Sequence, residues 1–385
     1  MLFTVAKVDL EGALQTVGGC LSSSGADLTT HYLFRIPPKG DPDRMEVLTY
    51  SGRVSALCPF VASVTPGEKS AFTVEGWRLR EWMKGVPDAA VIKFELDGKE
   101  PWLSCGGLPQ NFSSLDPQNF PYWDKVIESA KITATLPASH LREALAAAKG
   151  FASDDESKTP EVCVCQVLKG TLIGTDKIGA IRVTLAGLGD CALRVHVKDT
   201  SGVLGFLGMM EAQDEVEILE HDRAFFLRRS DGAFYGESRF QINFPAFKMP
   251  PDEDQRVWNI NIPEFKMALQ RLKAVADRHN DRVRFQRPNP DGSVLLSVPT
   301  PSGKMSGQEI SCTSTETKDA PAFPKDGFLM RQDHISQLLS ATDGDTLTLG
   351  VNSVKNTGFV RTTTHKLATA SYKGDEYTVV IVWVR

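Results

Sequence analysis

Apolar and polar residues alternate over short stretches of this chain, and each such stretch leads into an apolar stripe at helical spacing. Phe3-Thr4-Val5 runs into a segment from Asp9 to Val17, where Leu10, Ala13, Leu14 and Val17 fall on one helix face. Alternation reads as a half-buried strand, and the 3.6-residue period as an amphipathic helix. The same order returns at Ile132 to Leu136. Pro137 follows, then a helix pattern with Leu141, Ala144, Leu145 and Ala148 inward. It returns again at Trp258 to Ile262, with Pro263 and then Phe265, Leu269, Leu272 and Ala276 inward. Proline near the first turn suits a helix start. The three starts lie 129 and 126 residues apart, a domain-sized period.

A second pattern falls midway through each repeat. Ala71-Phe72-Thr73-Val74 precedes a helix carrying Trp77, Leu79, Trp82 and Met83. Leu193 to Val197 precedes one carrying Val203, Leu207 and Met210, and Phe328-Leu329-Met330 one carrying Ile335, Leu338 and Leu339. Alternating strands follow each, at Val91 to Leu96, Glu215 to Leu219 and Thr346 to Leu349. Few helices and many strands predict an α+β chain, with helices packed on one sheet face. The expected domains are 1–128, 129–255 and 256–385. Asn-Phe-Pro steps at Asn119-Phe120-Pro121 and Asn243-Phe244-Pro245 close the first two. The polar stretches Pro37 to Asp43, Ala152 to Lys158 and Thr313 to Pro324 read as solvated loops.

Composition narrows the classes. The 385 residues are 41% hydrophobic and 24% charged, which allows folded cores and excludes wholesale disorder. No apolar run approaches the roughly 18 residues that span a bilayer. The start, Met1 to Val5, shows no secretory pattern. Seven scattered cysteines, an odd number, fit a reducing compartment and free thiols. Cys163 and Cys165 stand alone as a C-x-C pair, without the further ligands of a zinc site. The net charge of −5 argues against gripping nucleic acid with the whole surface, but leaves room for a local basic lining. No nucleophile elbow is present, and Ser302-Gly303-Lys304-Met305 is not a phosphate loop. No catalytic residue, metal or cofactor is expected.

Several segments, in order, resemble the bacterial DNA polymerase III β subunit, the DNA sliding clamp. They are Phe72 to Val74 with Trp82-Met83-Lys84-Gly85-Val86-Pro87; Leu115 through Phe120-Pro121; Gly174-Thr175-Asp176; Phe244-Pro245; and the terminal stretch Tyr377 to Arg385. The resemblance covers the whole chain. Two departures mark a divergent member, as from a phage or mobile element. After Thr175-Asp176 the chain reads Lys177-Ile178-Gly179-Ala180 where the family has Gly-His-Arg-Leu. The end reads Val382-Trp383-Val384-Arg385 in place of the family's Pro-Met-Arg ending.

The resemblance implies three clamp domains, helices lining a ring and sheets outside. It implies a processivity factor in DNA replication, not an enzyme. The setting would be the cytoplasm of a bacterium or phage-infected host, with no membrane contact. A sliding lining attracts phosphates without reading bases. The candidates are Arg78, Arg80 and Lys84 in the first domain, and Arg142, Lys149 and Lys198 in the second. Lys266, Gln270 and Lys273 form one stripe in the third. Asp9 and Glu11 make the lining uneven. Polymerase and clamp loader would insert short hydrophobic peptides into a pocket of Val162, Thr175, Lys177, Ala180, Pro245, Val360, Val379, Ile381 and Trp383. A homodimer would close the ring, joining Asn111, Phe112 and Ser113 to Leu272, Val275 and the strand Val294 to Val298. The competing reading is a multidomain α+β structural protein, such as a viral particle component, without DNA contact.

Overall fold

The structure is a computed structural model. It describes the chain except for residues 23–26, 39–42, 66, 68–69, 98–99, 240–241, 245–253, 321, 341, 343, 355–356, 363–375 and 384–385. The helices are α1 (Lys7–Gly18), α2 (Gly76–Lys84), α3 (Asp124–Ser129), α4 (Ala138–Phe151), α5 (Thr200–Gly208), α6 (Ile262–Val275) and α7 (Gln332–Ser340). All but α3 follow a strand, at the six places where the alternating pattern gives way to the helical one. Most residues of the stripes that predict them are buried, while Trp82 of α2 and Leu269 of α6 are half-buried. Leu10, Ala13, Leu14 and Val17 of α1 and Leu141, Ala144, Leu145 and Ala148 of α4 are all interior. The Asn261 side chain accepts from the Glu264 amide and caps α6, with a proline in the first turn.

The differences have local causes. Trp77 is 58% exposed, because Gly76, Leu79 and Met83 form the buried face of α2. Ala276 is the C-cap of α6 and not part of its buried stripe. The segment from Thr313, expected as loop, begins as the end of a long strand, Met305–Glu316. Its Ser and Thr residues face outward, so the run looks like a loop although Ile310 and Cys312 are buried. Helix α3 has only six residues and no periodic signal. Val126 and Ile127 pack beside Trp123 on a core of Leu33, Leu48, Phe120 and Phe226. Arg35 anchors it with two hydrogen bonds to Asp124, at 2.8 and 2.6 Å.

The chain forms two compact units. One is Met1–Arg142 with Gly187–Gln241, the other Glu143–Ala186 with Ile242–Arg385. In the first, a sheet runs Ser63–Thr65, Leu2–Ala6, Val91–Asp97, Glu100–Ser104, Gln110–Asn111. A second sheet runs Lys131–Pro137, Glu215–His221, Ala224–Arg228, Phe234–Ser238, Val54–Val61, Arg44–Tyr50, His31–Arg35, Ala71–Glu75. In the other unit, strands run Val164–Leu168, Thr171–Thr175, Gly179–Thr184, Glu376–Trp383, Thr357–Thr362, Thr346–Val354, Arg256–Asn261, Met305–Glu316, Ser293–Pro299, Arg282–Phe285, Phe328–Arg331. These neighbours pair antiparallel throughout. Helix α4 sits directly on this sheet: a Cβ at Gly174 would lie 1.9 Å from the Ala148 carbonyl oxygen. Only glycine fits there.

The division runs through the middle repeat because sheet bonding joins each of its halves to a different neighbour. Phe234 pairs with Leu57, and so ties the last strand of repeat two to the first half of repeat one. Ala180 pairs with Val380, and so ties the first half of repeat two to the last strand of repeat three. Both joins follow one rule: a strand from the first half of one repeat meets the last strand of the next.

Candidate functional site

All the expected cations but Lys198 lie on helices, in differing states. On α2, Arg78 pairs with Glu75 at 3.0 Å and lies over the Trp77 ring. Arg80 donates to the Tyr32 hydroxyl and the Gly18 carbonyl, at 2.8 and 2.7 Å. Lys84 pairs with Glu81. Arg142 and Lys149 are half-buried on α4, and Lys198 is exposed just before α5. Lys266, Gln270 and Lys273 are exposed on α6, opposite the buried Ile262, Phe265, Ala268 and Leu272. Sequence reading missed Lys7, because the first helix was expected to begin near Asp9. Lys7, Glu11, Arg80 and Lys84 line a cleft of about 550 Å³ between α1 and α2. Lys7 is held there by Asp88 at 2.7 Å.

The Thr175-Asp176 segment forms a tight turn between the strands Thr171–Thr175 and Gly179–Thr184. Thr175 Oγ1 donates to the Gly179 carbonyl and accepts from the Lys177 amide. Asp176 Oδ1 accepts from the amides of Ile178 and Gly179, at 3.0 and 2.8 Å. Lys177 takes a left-handed backbone, φ +77°, a conformation that favours glycine. Its ammonium pairs with Glu161. From α7 and its approach, His334 Nε2 meets Asp176 Oδ2 at 2.9 Å, and Arg331 Nη1 reaches the same oxygen at 3.3 Å. Burial pushes the Asp176 carboxyl up, but His334 and the Gly179 amide outweigh it and hold the group below the usual carboxylate range. Arg331 and His334 carried no signal in the sequence, since an arginine ending a strand and a lone histidine at a helix start match no motif.

The other expected pocket residues are placed unevenly. Val162, Thr175, Ala180 and Val360 are interior, each at most 1% exposed. The register puts Thr175, Ala180, Val380 and Arg361 in one cross-strand row, and Gly179, Ile381, Val360 and Val351 in the next. Adjacent rows point to opposite faces, so Ala180 and Val360 do not share one. The positions of Val379 and Ile381, and that of Trp383 by the same alternation, fall in register with Val360. The side chains of Val379, Ile381 and Trp383 lie outside the described residues, as does Pro245 altogether.

At the expected dimer seam, Gln110–Asn111 is an edge strand, both residues exposed. Asn111 donates to Glu100 and Ser113 to Glu75. Phe112 is instead buried within the single chain, edge-on to Trp82 at 6.1 Å. A charge placed at Phe112 would therefore damage the first repeat itself, whatever part the residue takes in a seam. Leu272 also belongs to the interior, at 1% exposure, whereas Val275 is 43% exposed. Val294 to Val298 is flanked by strands on both sides and cannot offer an edge. The free edge lies in the neighbouring strand. Residues 312–316 pair with Arg256–Asn261, but along 305–311 the opposite side carries no strand among the described residues.

Among the described residues no group of three or more His, Cys, Asp or Glu is placed to hold a metal, and no helix is long and apolar enough to cross a membrane. No protein-family model matches the sequence, and no curated protein matches it significantly. Solved structures do match. The DNA polymerase III subunit beta of Pseudomonas aeruginosa superposes with a TM-score of 0.81 at 15% identity, over 100% of both chains. The β subunit of Thermotoga maritima gives 0.81 at 14%, again over 100% of both. The DNA polymerase sliding clamp of Bacillus subtilis gives 0.78 at 16%, over 100% of this chain and 99% of that one. The chain has the sliding-clamp fold over its full length, at a sequence distance that expresses wide divergence.

Proposed function

We propose that this chain is a DNA sliding clamp: two copies close a ring around duplex DNA and tether a polymerase to it. Its three domains are 1–128, 129–255 and 256–385. The observation that carries the reading is the rule by which strands join one repeat to the next. Applied once more, it calls for a strand from the first half of repeat three to meet the last strand of a following repeat one. The free edge along 305–311 and the edge strand Gln110–Asn111 are the two ends left over. Among the described residues neither edge has a strand beside it, and a twofold pairing of two chains would close both. Full-length likeness to clamps of three organisms supports the same conclusion.

DNA contact would then fall to Lys266, Gln270 and Lys273, with Arg78, Arg80, Lys84, Arg142, Lys149 and Lys198. The contact is electrostatic and independent of sequence, and counterion release makes it salt-dependent. Polymerase and loader would dock hydrophobic peptides near the 175–180 turn, with Val162, Lys177, Pro245, Val360, Val379, Ile381 and Trp383 as neighbours. Function here is topological and needs no catalytic group. Light scattering at micromolar concentration tests the assembly. A mass twice the chain's 42.2 kDa is expected, and a stable monomer contradicts the ring. Lys266→Glu with Lys273→Glu is expected to keep that mass and weaken low-salt DNA binding.

A further inference from the structure

Asp176 gathers hydrogen bonds from two distant parts of the chain. One oxygen holds the Ile178 and Gly179 amides, and the other faces His334 and Arg331, more than 150 residues away. The approach of His334 depends on Gly179. A Cβ there would stand 3.0 Å from His334 Cε1 and 3.1 Å from Phe151 Cδ1. His334 is 2% exposed, and its imidazole stacks on Phe151 at 5.8 Å. Arg331 is fixed in turn by Asp333 and by Asp281 at 3.7 Å. The turn so held contains a strained residue, Lys177, at φ +77°. A lysine in that conformation persists only where its surroundings over-determine it, and here the surroundings include helix α7.

We propose that Asp176, His334 and Arg331 are positioning residues: they lock the 175–179 turn onto α7, and so hold ready the rim at which a partner peptide docks. The docking half rests on the reading of this turn as the partner site; the locking half does not. Pre-organising a loop raises affinity by removing an ordering cost from the binding step.

Hydrogen exchange on the full chain, read over residues 176–180, tests the lock. His334→Ala, and separately Arg331→Ala, are expected to speed exchange of the Ile178 and Gly179 amides at least tenfold without shifting the main unfolding transition. His334→Gln keeps a donor toward Asp176 and is expected to stay within twofold of wild type. A fluorescein-labelled hydrophobic pentapeptide bearing leucine and phenylalanine is the docking probe, expected to bind His334→Ala at least fivefold more weakly. Unchanged exchange in both alanine variants overturns the lock. Faster exchange with unchanged peptide affinity overturns the docking role. If wild type binds no such peptide, the partner-site reading fails, and the exchange data still decide the lock.

Discussion

Glu237 shows how a single residue can be placed by burial alone. It lies in the strand Phe234–Ser238, 0% exposed, where repeat two joins repeat one. Its Oε1 accepts from the His196 amide, and its Oε2 has no partner among the described residues. Burial, then the nearby Asp199 carboxylate, push its pKa well above the usual range; the His196 amide and Arg53 oppose them less strongly. Between the ordinary carboxylate range and that raised value, the folded chain keeps a proton that the unfolded chain has lost. Stability therefore falls as pH rises through this window. Glu237→Gln carries the neutral form permanently. The Tm of wild type minus that of the variant is expected to grow more negative from pH 5 to pH 8. Parallel curves would show that Glu237 ionises normally. Neither Glu237 nor the Asp176 contacts could be read in the sequence. A buried carboxylate and a surface one look alike there, and the partners of Asp176 lie in another repeat.

At the scale of elements, the alternation and helical stripes located all six strand–helix pairs, because most of each stripe is a buried face. What escaped was short or one-sidedly polar. Six residues of α3 hold too little period to detect, and the end of Met305–Glu316 shows Ser and Thr outward. That strand also carries the most informative edge. Ser311 gives its amide to Glu264, away from the neighbouring strand, whereas Cys312 gives its own to the Gly292 carbonyl. Amides alternate in direction along a strand, so Glu309, two residues before Ser311, also points outward. Glu309→Pro removes that outward donor and spares the ladder to Ser293–Pro299. The chain is expected to stay folded by circular dichroism, while dimer dissociation by sedimentation rises at least tenfold. An unaltered dimer would place the seam elsewhere.

For the whole molecule, a period near 128 residues can be read in the sequence, but not how its repeats are bonded. Strand pairing between repeats depends on edges that lie far apart in sequence, as with Leu57 and Phe234 or Ala180 and Val380. The same gap bears on the expected seam: Val294 to Val298 reads as a strand, yet it lies inside the sheet. The claim that follows from the joins is topological linkage to DNA, and it can be measured without a loader. The chain is mixed at low salt with linear duplex whose free ends allow threading. Streptavidin then caps both biotinylated ends, and the sample is filtered through a gel at high salt, where electrostatic binding is lost. The protein is expected to elute with the capped DNA and to be released when a restriction enzyme cuts between the caps. Loss from capped DNA at high salt, or retention after cutting, would contradict a closed ring around the duplex.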